Sequence, residues 1–151
     1  MRDELLTILT AALPISELRG AIPLGLAFGF SPLKTYLLAV LGNGMIVAPL
    51  LLFLYYGSAW AMGKSAFFKN VLNWVFERTR RRHVEKFSGL SLVALAVFVA
   101  IPLPMTGAWT ASVLAFLLNI SLPRALTAIL IGVLVAGLIV SGIALGVLHF
   151  T

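Results

Sequence analysis

The chain of 151 residues contains no cysteine. That excludes disulfides, thiolate metal sites and cysteine nucleophiles. Charge is nearly as scarce: five acidic residues, two histidines and 11% Asp, Glu, Lys and Arg in total. No spaced His/Asp/Glu metal set, no Ser-His-Asp arrangement and no phosphate-binding glycine loop is found. The sequence offers no basis for an enzyme, and no cofactor or metal is expected.

What is abundant is apolar side chain. The chain is 61% hydrophobic with mean hydropathy +1.08, against roughly 45–50% apolar in a soluble domain. Four apolar stretches, 5–30, 33–62, 90–118 and 122–150, each exceed the roughly 20 residues that a helix needs to cross hydrocarbon. The composition predicts an all-α integral membrane protein forming a single membrane domain over 1–151. The first stretch carries charges and prolines without a small-residue cleavage site, so it is expected to be retained.

The net charge of +6 is concentrated in one place. Seven of the eleven Lys and Arg residues fall between Lys64 and Lys86, including Arg80, Arg81 and Arg82. In a membrane protein such a cluster marks a cytoplasmic loop, not a nucleic-acid surface. Phe67, Phe68, Val71, Leu72, Val75 and Phe76 recur at helical spacing, so this linker, 63–89, reads as a basic amphipathic helix. Trp60 and Trp74 read as interface anchors, and His83 and His149 have no partner in sequence.

The two flanking segments, 5–62 and 90–150, resemble distant copies. A shift of ninety positions brings Pro14 onto Pro104, Ser16 onto Thr106, Ser31 onto Ser121, Lys34 onto Arg124 and Gly42 onto Gly132 without a gap. Only seven of 53 pairs are identical, but the order of landmarks is shared, as in the internal repeats of transporters. Each copy has a first stretch interrupted by proline or glycine (Pro14 and Pro23; Pro102, Pro104 and Gly107) and then a long apolar helix. Proline removes a helical hydrogen bond and pushes the residue before it toward extended geometry. Each first stretch therefore reads as a re-entrant hairpin with arms of about ten to twelve residues, half a bilayer deep. Two ordinary spanning helices are the competing reading. Hairpins would place both termini outside and one hairpin on each side, an inverted repeat. Glycines and alanines in the long helices suit close packing.

Chemistry, where present, gathers at the breaks. Glu17 and Arg19 lie inside the first apolar stretch, and an ionisable group at bilayer depth costs about 2.5–3.5 kcal/mol and marks a functional site by default. Ser16 and Thr106 are suited to cap two half-helices whose unpaired N–H groups attract anions. Arg19 adds a donor fork for carboxylate or phosphate. Residues two apart on a helix face different ways, so Glu17 and Arg19 are not expected to pair directly, and one of them is expected to reach across to the second break, where Thr106, Trp109 and Thr110 wait. Asn43 is a further polar candidate. Pinning the hairpins together and handling substrate or protons are both open to this pair.

Leu13-Pro14-Ile15-Ser16-Glu17-Leu18-Arg19-Gly20-Ala21-Ile22-Pro23 resembles the first signature of the small multidrug export protein family, and residues 98–110 resemble its second. The doubled hairpin-plus-helix plan is similar to the wider DedA superfamily, which implies transport of lipid carriers such as undecaprenyl phosphate and a role in drug and pH tolerance. The second hairpin here lacks the charges usual in DedA members.

The expectation is a small, proton- or ion-coupled secondary transporter of a prokaryotic cytoplasmic membrane. It would move an amphiphilic or lipid-phosphate substrate and act as a homodimer or larger, in contact with membrane lipids. The alternative is a non-transporting scaffold acting through the basic linker.

Overall fold

The computed structural model describes residues 1–57, 88–103 and 106–150, with side chains from Leu92 to Val147 in the second part. Most of the predicted amphipathic linker, with Trp60, Trp74 and His83, lies outside these residues, as do Pro104 and the His149 side chain. Six α-helices and no strands are present among the described residues: α1 (Arg2–Ala12), α2 (Glu17–Ala27), α3 (Pro32–Leu52), α4 (Ser88–Ala100), α5 (Ala108–Leu117) and α6 (Leu122–Phe150). A π-turn over Phe53–Gly57 prolongs α3.

Helix ends follow local chemistry. Leu13, which precedes Pro14, closes α1 in extended geometry (φ −73°, ψ 141°), as the proline ring demands. Pro23 differs from expectation. It lies inside α2 and does not break it, because its fixed φ is helical and only the bond to the Arg19 carbonyl is lost. The last turn of α2 ends in a Schellman arrangement: Gly29 takes φ +78°, its N–H donates to Leu26, and the Phe30 N–H donates to Gly25. Ninety residues on, Asn119 takes φ +54° while Asn119 and Ile120 donate to Phe116 and Ala115. Each bond has its counterpart, although glycine has become asparagine, the other residue that tolerates the left-handed region.

Side-chain contacts give the helix directions. Glu4 meets Lys34 at the start of α3, with 2.5 Å between Oε1 and Nζ. Further along, the Ile8 carbonyl and the Ala11 methyl press on Gly42. α1 therefore runs with α3. α2 returns against it, since Gly25 faces Thr35 and Glu17 shares a cavity with Asn43. The turn between α1 and α2 thus stands near the middle of the 26-residue apolar helix over Pro32–Gly57. In the second half a Cβ on Gly132 would come within 2.7 Å of the Ala96 carbonyl and 2.6 Å of Val99 Cβ. Gly42 and Gly132 both let the first arm of their own half approach backbone to backbone. α3 and α6 cross antiparallel: Tyr36 donates to the Leu134 carbonyl at 3.2 Å, and Gly44 faces Leu130.

The core where these helices meet is made largely of alanine and β-branched residues, among them Ala21, Ala39, Ala111, Ala125, Val47 and Ile129. Larger side chains point outward, including Leu33, Met45, Leu138 and Ile143. Pro32–Gly57 and Leu122–Val147 are long and apolar enough to cross a membrane, with most of their most apolar stretch unburied. An apolar exterior around a small-residue core suits hydrocarbon as the surrounding solvent.

Candidate functional site

The turn after α1 and the break after α4 meet each other, and side chains from both sides tie them. Glu17 opens α2 with φ +44°, a left-handed backbone that costs an L-residue about 1–2 kcal/mol. Its carboxylate crosses to the second half and accepts a hydrogen bond from the Trp109 N–H at 3.4 Å, with the Ala108 N–H beside it. These are first-turn N–H groups of α5, which lack partners within the helix and carry partial positive charge. A glutamate 92 residues away in sequence thus caps α5.

Gly107 makes this approach possible. It is extended (φ −128°), a conformation open to any residue, so conformational freedom is not its role. A Cβ at Gly107 would fall on the Glu17 carboxyl group. Glycine is required there by close approach alone.

Arg19 does not pair with Glu17. Its Nη2 donates to the Thr106 carbonyl at 2.9 Å and to the Thr106 hydroxyl at 3.1 Å. The return contact comes from Trp109, whose Nε1 donates to the Ala12 carbonyl at 3.1 Å. Arg19 and Trp109 are ninety residues apart, and each donates to a carbonyl near the other's turn.

Ser16 and Thr106 do not act as the caps that their positions suggest. Ser16 has helical φ and ψ and no capping bond, and its hydroxyl donates to the Thr10 carbonyl at 2.8 Å. Thr106 precedes the actual cap residue, Gly107. Its hydroxyl lies 2.7 and 2.8 Å from the Ile101 and Leu103 carbonyls and accepts from the Leu103 N–H at 3.2 Å. Both hydroxyls satisfy the broken backbone of their own turn, a local alternative open to Ser and Thr. Thr110 is exposed and takes no part in the cluster.

Glu17, Arg19, Asn43, Thr106, Gly107 and Pro102 line one cavity of about 10 Å³, closed on the other side by Val99, Val133 and Val140. Its size suits roughly one water. Asn43 is 1% exposed, and its Oδ1 has no hydrogen-bond partner. Pro102 lines the cavity as part of the second break.

One residue escaped the sequence reading. Tyr55, in the π-turn after α3, donates to the carbonyls of Ala115 (3.3 Å) and Ile120 at the far end of α5, and its ring packs edge-on to Phe116. A tyrosine within a long apolar run needs an acceptor, which was the available signal. α5 is thereby held at both ends, by Glu17 and by Tyr55.

No curated protein and no solved structure matches the chain. The family described as "Putative small multi-drug export protein" matches residues 17–139. That span begins at Glu17, just after the first turn, and takes in α2, α3, the second break and most of α6. The chain belongs to this small multi-drug export protein family.

Proposed function

We propose that the chain is a small secondary transporter that exports an amphiphile, with the two turns as its substrate site. The observation that carries this reading is the pairing of two interrupted helices through Glu17 and Arg19, both lining one cavity midway along α3. Interrupted backbone is tolerated at membrane depth only where protein covers it or a cavity adjoins it. Half-helix ends at that depth are where secondary transporters hold substrate and coupling ions.

In this reading α1–α2 and α4–α5 are re-entrant hairpins, and the antiparallel α3 and α6 make the two halves an inverted repeat of the DedA kind. Both termini lie outside, and the basic linker faces the cytoplasm of a prokaryote. So few helices shelter the hairpins incompletely from lipid, so the working unit is a homodimer or larger. The start of α5 together with Arg19 suits an anionic head group. Glu17 holds the α5 N–H groups until a proton removes its charge, and the anionic head group can then take the carboxylate's place, so that proton and substrate are carried together.

The test is transport in proteoliposomes loaded with an alkyl phosphate or with an alkylammonium. Arg19→Gln abolishes movement of the phosphate, while Glu17→Gln retains binding and loses dependence on the pH gradient. If Glu17→Gln abolishes alkylammonium movement and Arg19→Gln does not, the cargo is cationic. A cytoplasmic N-terminus, read by accessibility labelling, would overturn the hairpins.

A further inference from the structure

Along one side of the second half, α4 and α6 leave a groove of about 430 Å³ between Leu92, Ala96, Ala100, Thr127, Ala128 and Ile131. We propose that this groove binds the alkyl chain of the amphiphile, next to the turn where the head group is held; the assignment rests on the transport reading above.

Chemistry of the lining selects hydrocarbon. Among the described residues Thr127 is the lone polar side chain lining it, and its hydroxyl lies 3.1 and 3.0 Å from the carbonyls of Pro123 and Arg124 on its own helix. It thus has partners already and offers a ligand no anchor. The volume lies within the roughly 300–1,000 Å³ of small-molecule sites.

The groove exists because side-chain volume is missing. Ala96, Ala100 and Ala128 stand where the first half has Leu6, Thr10 and Leu38. A Cβ on Gly132 would come within 2.7 Å of the Ala96 carbonyl and one on Gly42 within 2.3 Å of the Ile8 carbonyl, so both helix pairs approach to backbone contact and the truncated side chains supply the space.

Its position matches a chain attached to a head group at the turn. From Leu92 to Ala100 the α4 axis rises about 12 Å, close to one leaflet's share of a hydrocarbon core about 30 Å thick. The groove ends at Ala100, two residues before Pro102, which lines the polar cavity. Val99 lines that cavity too and rests on Gly132 in the groove, so one side chain separates the two spaces. An amphiphile could enter sideways from the bilayer with its chain never leaving apolar surroundings.

Binding of n-dodecyl phosphate and n-butyl phosphate to the purified full chain tests this, with Ala96→Leu on α4 and Ile131→Phe on α6 as independent fillings. Gel filtration and melting confirm that each variant is folded. The dodecyl compound should bind at least about tenfold more tightly than the butyl one. Each filling should remove that advantage and leave butyl phosphate unchanged, while Arg19→Gln weakens both. Unchanged dodecyl affinity in both filled variants overturns the proposal. So does a change in oligomer size at constant affinity, which would assign the groove to a second copy of the chain. If the chain-length dependence behaves as expected but Arg19→Gln has no effect and vesicles show no transport, the alkyl site stands and the transport reading falls.

Discussion

Glu17 and Gly107 occupy equivalent positions in the two halves, ninety residues apart, and they touch each other. The Glu17 carboxylate sits where a Gly107 side chain would begin. The two positions correspond under the ninety-residue shift, and the contact joins an acid to a residue with no side chain. Gly107→Ala should therefore displace the carboxylate from the α5 start. The expected loss is about 1.5–3 kcal/mol, the range for a hydrogen bond to a charged group, read as a lower melting temperature in detergent. The exchange Glu17→Gly with Gly107→Glu should recover much of what either single change loses. It removes the side chain from the left-handed position and sends a carboxylate back toward α2. A double variant no more stable than the singles would show that the two turns are not interchangeable.

Asn43 separates stability from activity. Its buried Oδ1 lacks a partner, and an unsatisfied buried group costs about 1–3 kcal/mol. Asn43→Leu should melt at or above the wild-type temperature while losing transport. A lower melting temperature would mean that the amide is bonded in the folded protein.

Glycines with different surroundings should respond differently. Gly42→Ala drives a methyl into the Ile8 carbonyl and should cost about 1–3 kcal/mol by overpacking. A methyl on Gly142 would meet nothing within 4 Å, so Gly142→Ala should raise stability by up to about 1 kcal/mol through helix propensity. Thermal unfolding of the pair checks both signs.

Glu4, in the first turn of α1, is held below the ordinary carboxylate value by its hydrogen bond to the Lys34 ammonium and then by the N-terminal amine. A depressed folded value means that the contribution is complete above the unfolded value, near 4.5, and is lost as pH falls through the folded one. Amide exchange in α1 should accelerate below that range. Lys34→Met should raise the pH at which acceleration begins, since it removes the first cause of the depression.

Tyr55→Phe should leave the π-turn ring packed on Phe116 and release the end of α5. A loss of about 1 kcal/mol is expected for a neutral hydrogen bond, with faster amide exchange at Ile120.

Much of the fold was legible because it depends on neighbours in sequence. The bend after Leu13 follows from Pro14, and the long α3 and α6 follow from uninterrupted apolar runs. Ser31 heads α3 before Pro32, its Oγ lying 3.4 Å from the Lys34 N–H. The readings that failed concern competition between local and distant partners. Ser16 and Thr106 are good caps by type, yet their own turns offered carbonyls at shorter reach. Pro23 reads as a breaker by type, since an interior proline gives up a helical hydrogen bond, yet α2 runs through it from Glu17 to Ala27. The cradle at Gly107 depends on a carboxylate from the other half, and no local pattern announces it.

The bonds between the turns join residues 87 to 97 positions apart. At about 5–20 residues per second, roughly 5–20 seconds of synthesis separate the emergence of Glu17 from that of Trp109. During that interval a carboxylate and a guanidinium have no partners from the second half. A nascent first half must either wait in an aqueous vestibule of the insertion machinery or draw water and lipid head groups inward. Production of the intact protein is therefore sensitive to ribosome pausing between the halves, and a slow codon cluster just before Ser88 would be harmful in a way that no property of the finished molecule reveals.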